Sequence, residues 1–399
     1  MNQIRQTVKK AIVAIPQQRS RKPDRVILYT VILLCVFGIF MIWSSSMYVA
    51  RMDKATHYDE FYYAEKQLMF FLAGYAVMMV LSVMNIEILK SLSPWLMALM
   101  LGILLLTSAG SSQEVNGAVR AFRIGSIVIM PAEFTKIAVL CFTAYFCELT
   151  MAHIKKLDMF SMILALTAMT FYIIYRQPAL TTAAIIAIVI MGIYFVAGGN
   201  LLYIAVSGMG AVALLYYKFI GSNQWRMDRI SAWNDPFTDV LNEGWQPANS
   251  IMALGSGGLT GRGIGKSIAK LSFLPEPQND YIFSIIGEEM GFLGCMALIF
   301  VYLILISRLF ILALNSKTTF SRLFCAGSAI LFALQVFLNV GVCTNLLPST
   351  GVSLPFVSYG GSSLLSFMAV IGIVLNISRN NPIPRLNLFR QEAGESSNN

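Results

Sequence analysis

Apolar runs of about 17–25 residues recur along most of the chain, separated by shorter polar stretches, and runs of that length match the hydrocarbon core of a bilayer. They predict spans at Val26–Trp43, Leu68–Met84, Pro94–Ala109, Ala132–Leu149, Phe160–Tyr175, Leu180–Ala197, Leu201–Ile220, Asp280–Ile306, Leu323–Val342 and Tyr359–Ile377. A bundle of about ten crossings follows, all-α and polytopic, because helices satisfy their own backbone groups in lipid. An even number of crossings leaves both termini on one side. Arg5, Lys9, Lys10, Arg19, Arg21, Lys22 and Arg25 precede the first span, so the positive-inside rule assigns that side to the cytoplasm. Val26–Trp43 is long for a signal-peptide core and further spans follow it, so it reads as a first membrane anchor.

The organisation expected is a basic cytoplasmic segment at 1–25, a transmembrane domain at 26–378 and a cytoplasmic tail at 379–399. A long extracytoplasmic loop at 221–279 lies between spans seven and eight. Lys90, Lys155, Lys156 and the stretch Arg308 to Arg322 fall on cytoplasmic connections, and Arg379, Arg385 and Arg390 in the tail. Arg51, Lys54, Arg120, Arg123 and the run from Arg226 to Lys270 fall outside, where long loops are weakly bound by the charge rule. Segments dense in Gly, Pro and polar residues also fall outside: Asn116–Pro131, Arg176-Gln177-Pro178, the long loop and Leu347–Gly361. Such loops carry function more often than plain connections do, so the outer face is the working face. No internal repeat is evident, which argues against transporters built from inverted halves.

Composition agrees. Of 399 residues, 57% are hydrophobic and 12% charged, with a mean hydropathy of +0.68. Soluble domains carry about 25% charged residues, and the spans leave no length for a separate soluble catalytic domain. The net charge of +9 concentrates before the first span and near span ends, a pattern for anionic headgroups and not for nucleic acid. Six cysteines (35, 141, 147, 295, 325 and 343) lie in or beside apolar runs without Cys-x-x-Cys spacing, as buried small hydrophobes do. His57 and His153 fall on opposite sides of the membrane, which argues against a His-based metal site.

The chemistry concentrates between Lys270 and Gly291. Asp280, Ser284 and Glu288 recur every fourth residue and share a helix face, with Glu288 roughly 12 Å below Asp280. Glu288 and Glu289 sit too deep for solvent; they must pair, be protonated or line a wet cavity. Asn279-Asp280 at a span start reads equally as a helix N-cap, although capping leaves the two deeper carboxylates unexplained. A carboxylate near a low-dielectric surface suits a general base for a hydroxyl.

Three other constellations stand out. Pro131 opens a span, and Glu133 and Lys136 can pair three residues apart, as a structural ion pair or at a site. Gly255–Lys266 is glycine-rich with two cations, but it lacks the strand and helix context of a phosphate loop. It reads as turn-forming sequence or as a backbone N–H nest with Arg262, Lys266 and Lys270 near an anionic headgroup. Pro355–Ser363 opens the last span, its small residues permitting close helix approach, with Ser358 and Tyr359 available as hydroxyl donors to a ligand.

In order along the chain stand Asn116-Gly117 with Arg120, Pro131-Ala132-Glu133 with Lys136, Gln177-Pro178, and Trp233-Asn234-Asp235-Pro236. Gln246 with Ser250 and Gly255-Ser256-Gly257-Gly258-Leu259 follow. The set ends with Leu274-Pro275-Glu276 and Asp280, Ile286-Gly287-Glu288-Glu289, Asn339-Val340-Gly341, and Leu354-Pro355-Phe356 through Ser363. Together they resemble the SEDS family (shape, elongation, division and sporulation) of bacterial peptidoglycan polymerases. The compact Gly263-Ile264-Gly265-Lys266-Ser267 and the Ile286-Gly287 before the paired glutamates are most similar to the division members; sporulation members look much the same. Departures are Gln278-Asn279 where His-Thr is usual, Ala179 after Gln177-Pro178, Ala121 after Arg120, Met130 before Pro131, and the atypical Trp245-Gln246-Pro247. They put peripheral contacts in question more than the base.

The resemblance implies a lipid II-dependent, inverting peptidoglycan glycosyltransferase at the outer face of the bacterial cytoplasmic membrane, acting at the division septum. The 4-hydroxyl of one lipid II attacks the anomeric carbon of a glycan strand held on undecaprenyl pyrophosphate. Asp280 is implied as base, with Glu133, Lys136, Arg120, Lys270, Glu289 and Ser358 positioning substrate or balancing charge. Inverting transfer needs one carboxylate base on the acceptor side, and pyrophosphate leaves with charge stabilisation. No cofactor is implied, a divalent cation being left open. The implied partners are a class B penicillin-binding transpeptidase, other divisome proteins and membrane lipid. The alternatives are an elongation or sporulation role, a lipid II flippase or other lipid transporter, and a catalytically silent scaffold.

Overall fold

A computed structural model describes residues 22–108, 113–115, 118–124, 127–177, 179–222, 231–238, 242, 244–271 and 274–381. The basic segment with Arg5 to Arg21, the tail with Arg385 and Arg390, and Asn116-Gly117, Pro178 and Arg226 lie outside the described residues. So do the side chains of Arg120 and Arg123.

The helices are α1 (Arg25–Met52), α2 (Tyr62–Leu81), α3 (Ile86–Ser108), α4 (Pro131–Leu149), α5 (Leu157–Tyr175), α6 (Leu180–Val196) and α7 (Leu201–Ser222). They continue with α8 (Trp245–Gly257), α9 (Ile282–Asn315), α10 (Thr319–Cys343) and α11 (Gly361–Asn380). Seven of them, α1, α2, α3, α5, α9, α10 and α11, are long and apolar enough to cross a membrane. Of the other expected spans, α6 is shorter, α7 is apolar over Leu201–Leu214, and α4 carries Glu133, Lys136 and Glu148. Leu72, Val80, Leu106, Met209, Leu293 and Phe300 are exposed on the flanks, an apolar belt that only lipid would cover.

A helix lies at each stretch expected as a span, seven of them long and apolar enough to cross, with edges that move for local reasons. α3 begins at Ile86, eight residues ahead of the expected Pro94. Proline withholds the N–H that would bond the Lys90 carbonyl, and the Ser93 hydroxyl donates to that carbonyl instead, at 2.8 Å. The outer stretch before α4 is not plain loop. Strands β1 (Gln113–Val115), β2 (Ala118–Ile124) and β3 (Ile127–Ile129) form an antiparallel sheet in that order. The long stretch after α7 contains a helix, α8, which the polar and glycine content concealed.

α10 and α11 are the most buried spans, and Phe332, Phe356 and Phe367 pack together around them with ring centroids 5.5–5.7 Å apart. Where α2 crosses α11, Gly372 lies against the backbone of Met78, leaving no room for a side chain. α9 packs on α1, α8 and α10, and α11 on α2 and α4.

Candidate active site

α9 is 34 residues long, about 51 Å at helical rise, against a hydrocarbon core of about 30 Å. It is not continuous: Gly291 has φ 70° and ψ −168°, a region open to glycine at little cost. The break strands two carbonyls and two N–H groups inside protein, where each must find a partner. The glycine-rich segment supplies all four. Arg262 N and Gly263 N donate to the carbonyls of Glu288 and Glu289 at 2.9 and 3.0 Å, and Phe292 N and Leu293 N donate to Gly258 O and Leu259 O at 2.9 and 3.1 Å. A Cβ at Gly257, Gly261 or Gly291 would overlap backbone across this seam. The glycine-rich run is therefore a splice into a broken helix, and neither a phosphate loop nor a flexible turn.

Glu288 and Glu289 end the first half of α9, where the helix dipole disfavours anions, and both are 1% exposed. Each is paired. Glu288 accepts from Ser267 Oγ at 2.5 Å, Ile268 N at 2.9 Å, Ala269 N at 3.2 Å and Arg262 Nη1 at 3.4 Å. Of the cations expected to face an anionic headgroup, Arg262 thus reaches an internal carboxylate, and the backbone N–H groups that hold it, Ile268 and Ala269, lie just beyond the glycine-rich run. Glu289 turns the other way. It accepts from Lys270 Nζ at 2.9 Å and from Ser44 Oγ of α1 at 2.7 and 2.8 Å, while Lys270 also donates to the Ser44 carbonyl at 3.1 Å. Ser284, on the expected polar face, meets Ser250 Oγ of α8 at 2.6 Å. The stripe below Asp280 ties segments together and is closed to solvent.

Asp280 differs. The helix begins at Ile282 with Tyr281 as N-cap, whose own side chain makes no cap bond, so Asp280 sits in the turn ahead of α9. It is half-buried. Its carbonyl accepts from Asn339 Nδ2 at 2.8 Å and Cys343 Sγ at 3.6 Å, both on α10. Its Oδ2 lies beside Gly351, 3.3 Å from where a Cβ would stand. Gly351 has φ 65°, so absence of a side chain there keeps space beside the carboxylate.

The wall beyond Gly351 is the re-entrant segment from Val352 to Ser358, largely buried. Tyr302 of α9 donates to the Pro355 carbonyl at 2.5 Å, and Gly38 of α1 lets the Phe356-Val357 backbone approach. Ser358, expected to face ligand, is 5% exposed, and its hydroxyl accepts from Leu354 N at 2.8 Å. Gln67 of α2 clamps the far side, donating to Ser358 O and accepting from Gly360 N. Tyr359 N donates to Gln278 O at 2.9 Å, which places its ring two residues from the Asp280 turn; burial pushes its hydroxyl up to about 12.

Glu133 and Lys136 form the expected pair, at 2.8 Å, with Lys136 buried. Met130 N donates to Ser362 Oγ at 3.0 Å and Ser366 Oγ donates to Glu133 O at 2.9 Å, docking the start of α4 on the start of α11. Asp24, by contrast, bonds Ser378 and Arg308 at the other end of α1, α9 and α11. Asp280, Gly351, Glu133 and Ser358 therefore occupy the end opposite the described termini. The expected candidates resolve into separate pairs: Lys270 with Glu289, Glu133 with Lys136, and Asp280 with the Asn339–Gly351 corner. Sequence reasoning passed over Ser44, Gly291 and Gly351 as site residues, and read Asn339 only as part of the Asn339-Val340-Gly341 segment of the resemblance. Among the described residues no three His, Cys, Asp or Glu side chains gather as a metal site.

Residues 24–382 match the FTSW_RODA_SPOVE family model, described as cell cycle protein. The chain is 35% identical over 362 residues to "Probable peptidoglycan glycosyltransferase FtsW" of Trichlorobacter lovleyi, covering 90% of this chain and 94% of the relative. It is 33% identical to "Stage V sporulation protein E" of Bacillus subtilis, covering 90% and 98%. Among solved structures, a chain of a complex described as "Structural coordination of polymerization and crosslinking by a peptidoglycan synthase complex" matches with TM-score 0.73 and 25% identity, covering 91% and 99%. The rod shape determining protein RodA of Thermus thermophilus matches with TM-score 0.66 and 26% identity, covering 90% and 98%.

Proposed function

Because the chain belongs to the FtsW/RodA/SpoVE family of cell cycle proteins, an assignment that makes it a multi-pass inner-membrane protein, we propose that it polymerises lipid II into glycan strands. The reaction is an inverting glycosyl transfer at the outer face of the membrane. The chain crosses about ten times, with its termini in the cytoplasm, and serves septal wall synthesis beside a class B penicillin-binding transpeptidase and other divisome proteins.

Asp280 is the base in this reading. One observation carries it: of the three carboxylates at 280, 288 and 289, Asp280 alone is partly exposed, beside Gly351, while Glu288 and Glu289 are buried in pairs. A base must reach the hydroxyl it deprotonates. Oδ2 takes the proton from the acceptor hydroxyl as its oxygen attacks the anomeric carbon and the pyrophosphate departs. Lys136 and Arg120 are the cations assigned to balance the departing charge. Lys270, Glu289, Glu133 and Ser358 act from behind, holding the frame.

The test is polymerisation of purified lipid II in detergent. Asp280→Asn keeps the fold and its thermal transition and lowers strand formation by about 10²-fold or more; polymer at the wild-type rate overturns the assignment. A helix broken at membrane depth is also what lipid transporters use. Transfer of labelled lipid across liposomes by wild-type protein, with no polymer, would decide for that reading.

A further inference from the structure

We propose that Asn339 is a positioning residue for the base: its amide pins the Asp280 backbone to the re-entrant segment and so sets where the carboxylate points. The proposal rests on the reading of Asp280 as base. Asn339 is 1% exposed, and its Nδ2 donates to two carbonyls, Asp280 O and Val352 O, each at 2.8 Å. Two acceptors at that distance fix the amide orientation, since a flipped amide would set its oxygen against both carbonyls. One side chain thereby spans the turn that carries Asp280 and the strand of chain that carries Gly351, on whose near side Oδ2 lies. Neither segment is helical at this point, and the backbone bond between the turn and the re-entrant segment, Tyr359 N to Gln278 O, lies two residues before Asp280, so Asn339 holds the spacing at residue 280 itself.

Asn339 Oδ1 is buried without a partner, a cost that is carried beside the two bonds made by Nδ2. Cys343 Sγ, one turn along α10, supports the same carbonyl from 3.6 Å, and Ser250 Oγ donates to Cys343 O at 2.7 Å while meeting Ser284. The C-terminal turn of α10 is thus a fixed rail against α8 and α9, and Asn339 transmits its position to residues 280 and 352. A displacement near 1 Å at a reacting group costs about 10²-fold in rate, without touching the surfaces that hold the lipid.

The experiment uses full-length protein and purified lipid II, with wild type, Asp280→Asn, Asn339→Leu, Asn339→Ala and the double variant Asp280→Asn/Asn339→Leu. Thr344→Val, which loses only a hydroxyl bonded within its own helix, serves as control. Asn339→Leu, which strands the Val352 carbonyl, is expected to melt below wild type while remaining folded, to keep KM for lipid II within about twofold, and to lose about 10²-fold in kcat per folded protein. Its residual rate should show a displaced acid limb in the pH profile, and the double variant should be no slower than Asp280→Asn alone, since residues acting as a unit are not additive. Should Asn339→Leu misfold, Asn339→Ala carries the same expectation at lower melting temperature. Wild-type kcat and pH profile in a folded Asn339 variant would overturn the proposal, as would a loss that only follows the folded fraction. Failure of wild type to polymerise, or full activity in Asp280→Asn, would instead overturn the reading beneath it.

Discussion

The two ends of the bundle hold charge in different ways. At the end with the described termini, charges sit at helix ends and near solvent. Asp24 accepts from Val26 N and Ile27 N and pairs with Arg308 at 3.0 Å. Glu148 accepts from Phe320 N, an anion at the start of α10, and pairs with Lys90 at 2.8 Å. Asn381 accepts from Lys317 N, and Asn376 donates to the last carbonyls after α2. Each tie satisfies groups that any helix end leaves free. At the other end the chain re-enters the bundle twice, a helix is broken, and Glu288, Glu289, Lys136 and Lys270 are all 3% exposed or less. Capping explains the first end entirely. The second keeps costly charge in the interior, and what it holds in place is the half-exposed Asp280.

The contrast breaks most sharply at Lys270. Lys270→Ala leaves Glu289 uncompensated, with only Ser44 to bond it. Removing one partner of a buried pair costs about 3–5 kcal/mol, so the variant should melt far below wild type in detergent, and Ser44→Ala in the same background, which removes the last donor, should lower it further. A Lys270→Ala protein that melts within a degree or two of wild type would show that this end is wet, and that its pairs are no different from those at the far end.

How much of this was legible depends on range. Hydropathy places α10 at Leu323–Val342 against an observed Thr319–Cys343, because a fully apolar run cannot be anything else at that length. The Glu133–Lys136 pair was legible because helical spacing alone dictates it. The pairing of Glu289 was required by burial, but its partners, Ser44 and Lys270, are separated by 226 residues, and no local pattern joins them. Gly291 reads as one more small residue in a span until Gly258 to Gly263 arrive from thirty residues upstream to fill its break. The β1–β2 sheet did leave a signal: Asn116-Gly117, a dipeptide typical of tight hairpins, between short β-prone segments. Asn339 stood in the Asn339-Val340-Gly341 segment of the resemblance, but its contacts were not legible, since they are two carbonyls contributed by loops.

A smaller effect tests the rim of the site end. Burial raises the Tyr359 hydroxyl to about 12, above an unfolded value near 10. The folded state thus favours the neutral phenol. That stabilisation is complete below about pH 10 and is lost as pH climbs from about 10 toward 12, in all about 2–3 kcal/mol. Tyr359→Phe, which cannot ionise, should show a shallower fall of melting temperature over that window than wild type. Parallel curves would mean that the ring at the edge of the Asp280 turn is solvated, and that the re-entrant segment is looser than its hydrogen bonds indicate.

The smallest effect belongs to the far end. Lys90 pairs with Glu148 at 2.8 Å and, more weakly, with the exposed Glu87 at 3.5 Å, and its Nζ lies over the Phe320 ring. Glu148 is 24% exposed on its side chain and keeps the Phe320 N–H after its lysine is removed. Water and a helix N-terminus can therefore hold the stranded carboxylate, which is the option Glu289 lacks. Lys90→Ala should cost no more than about 1 kcal/mol, shrink further as salt is raised, and leave strand formation at the wild-type rate. Were it to cost as much as Lys270→Ala, burial would not be what separates the two ends. The distinction would then have to rest on the broken helix and the re-entrant backbone alone.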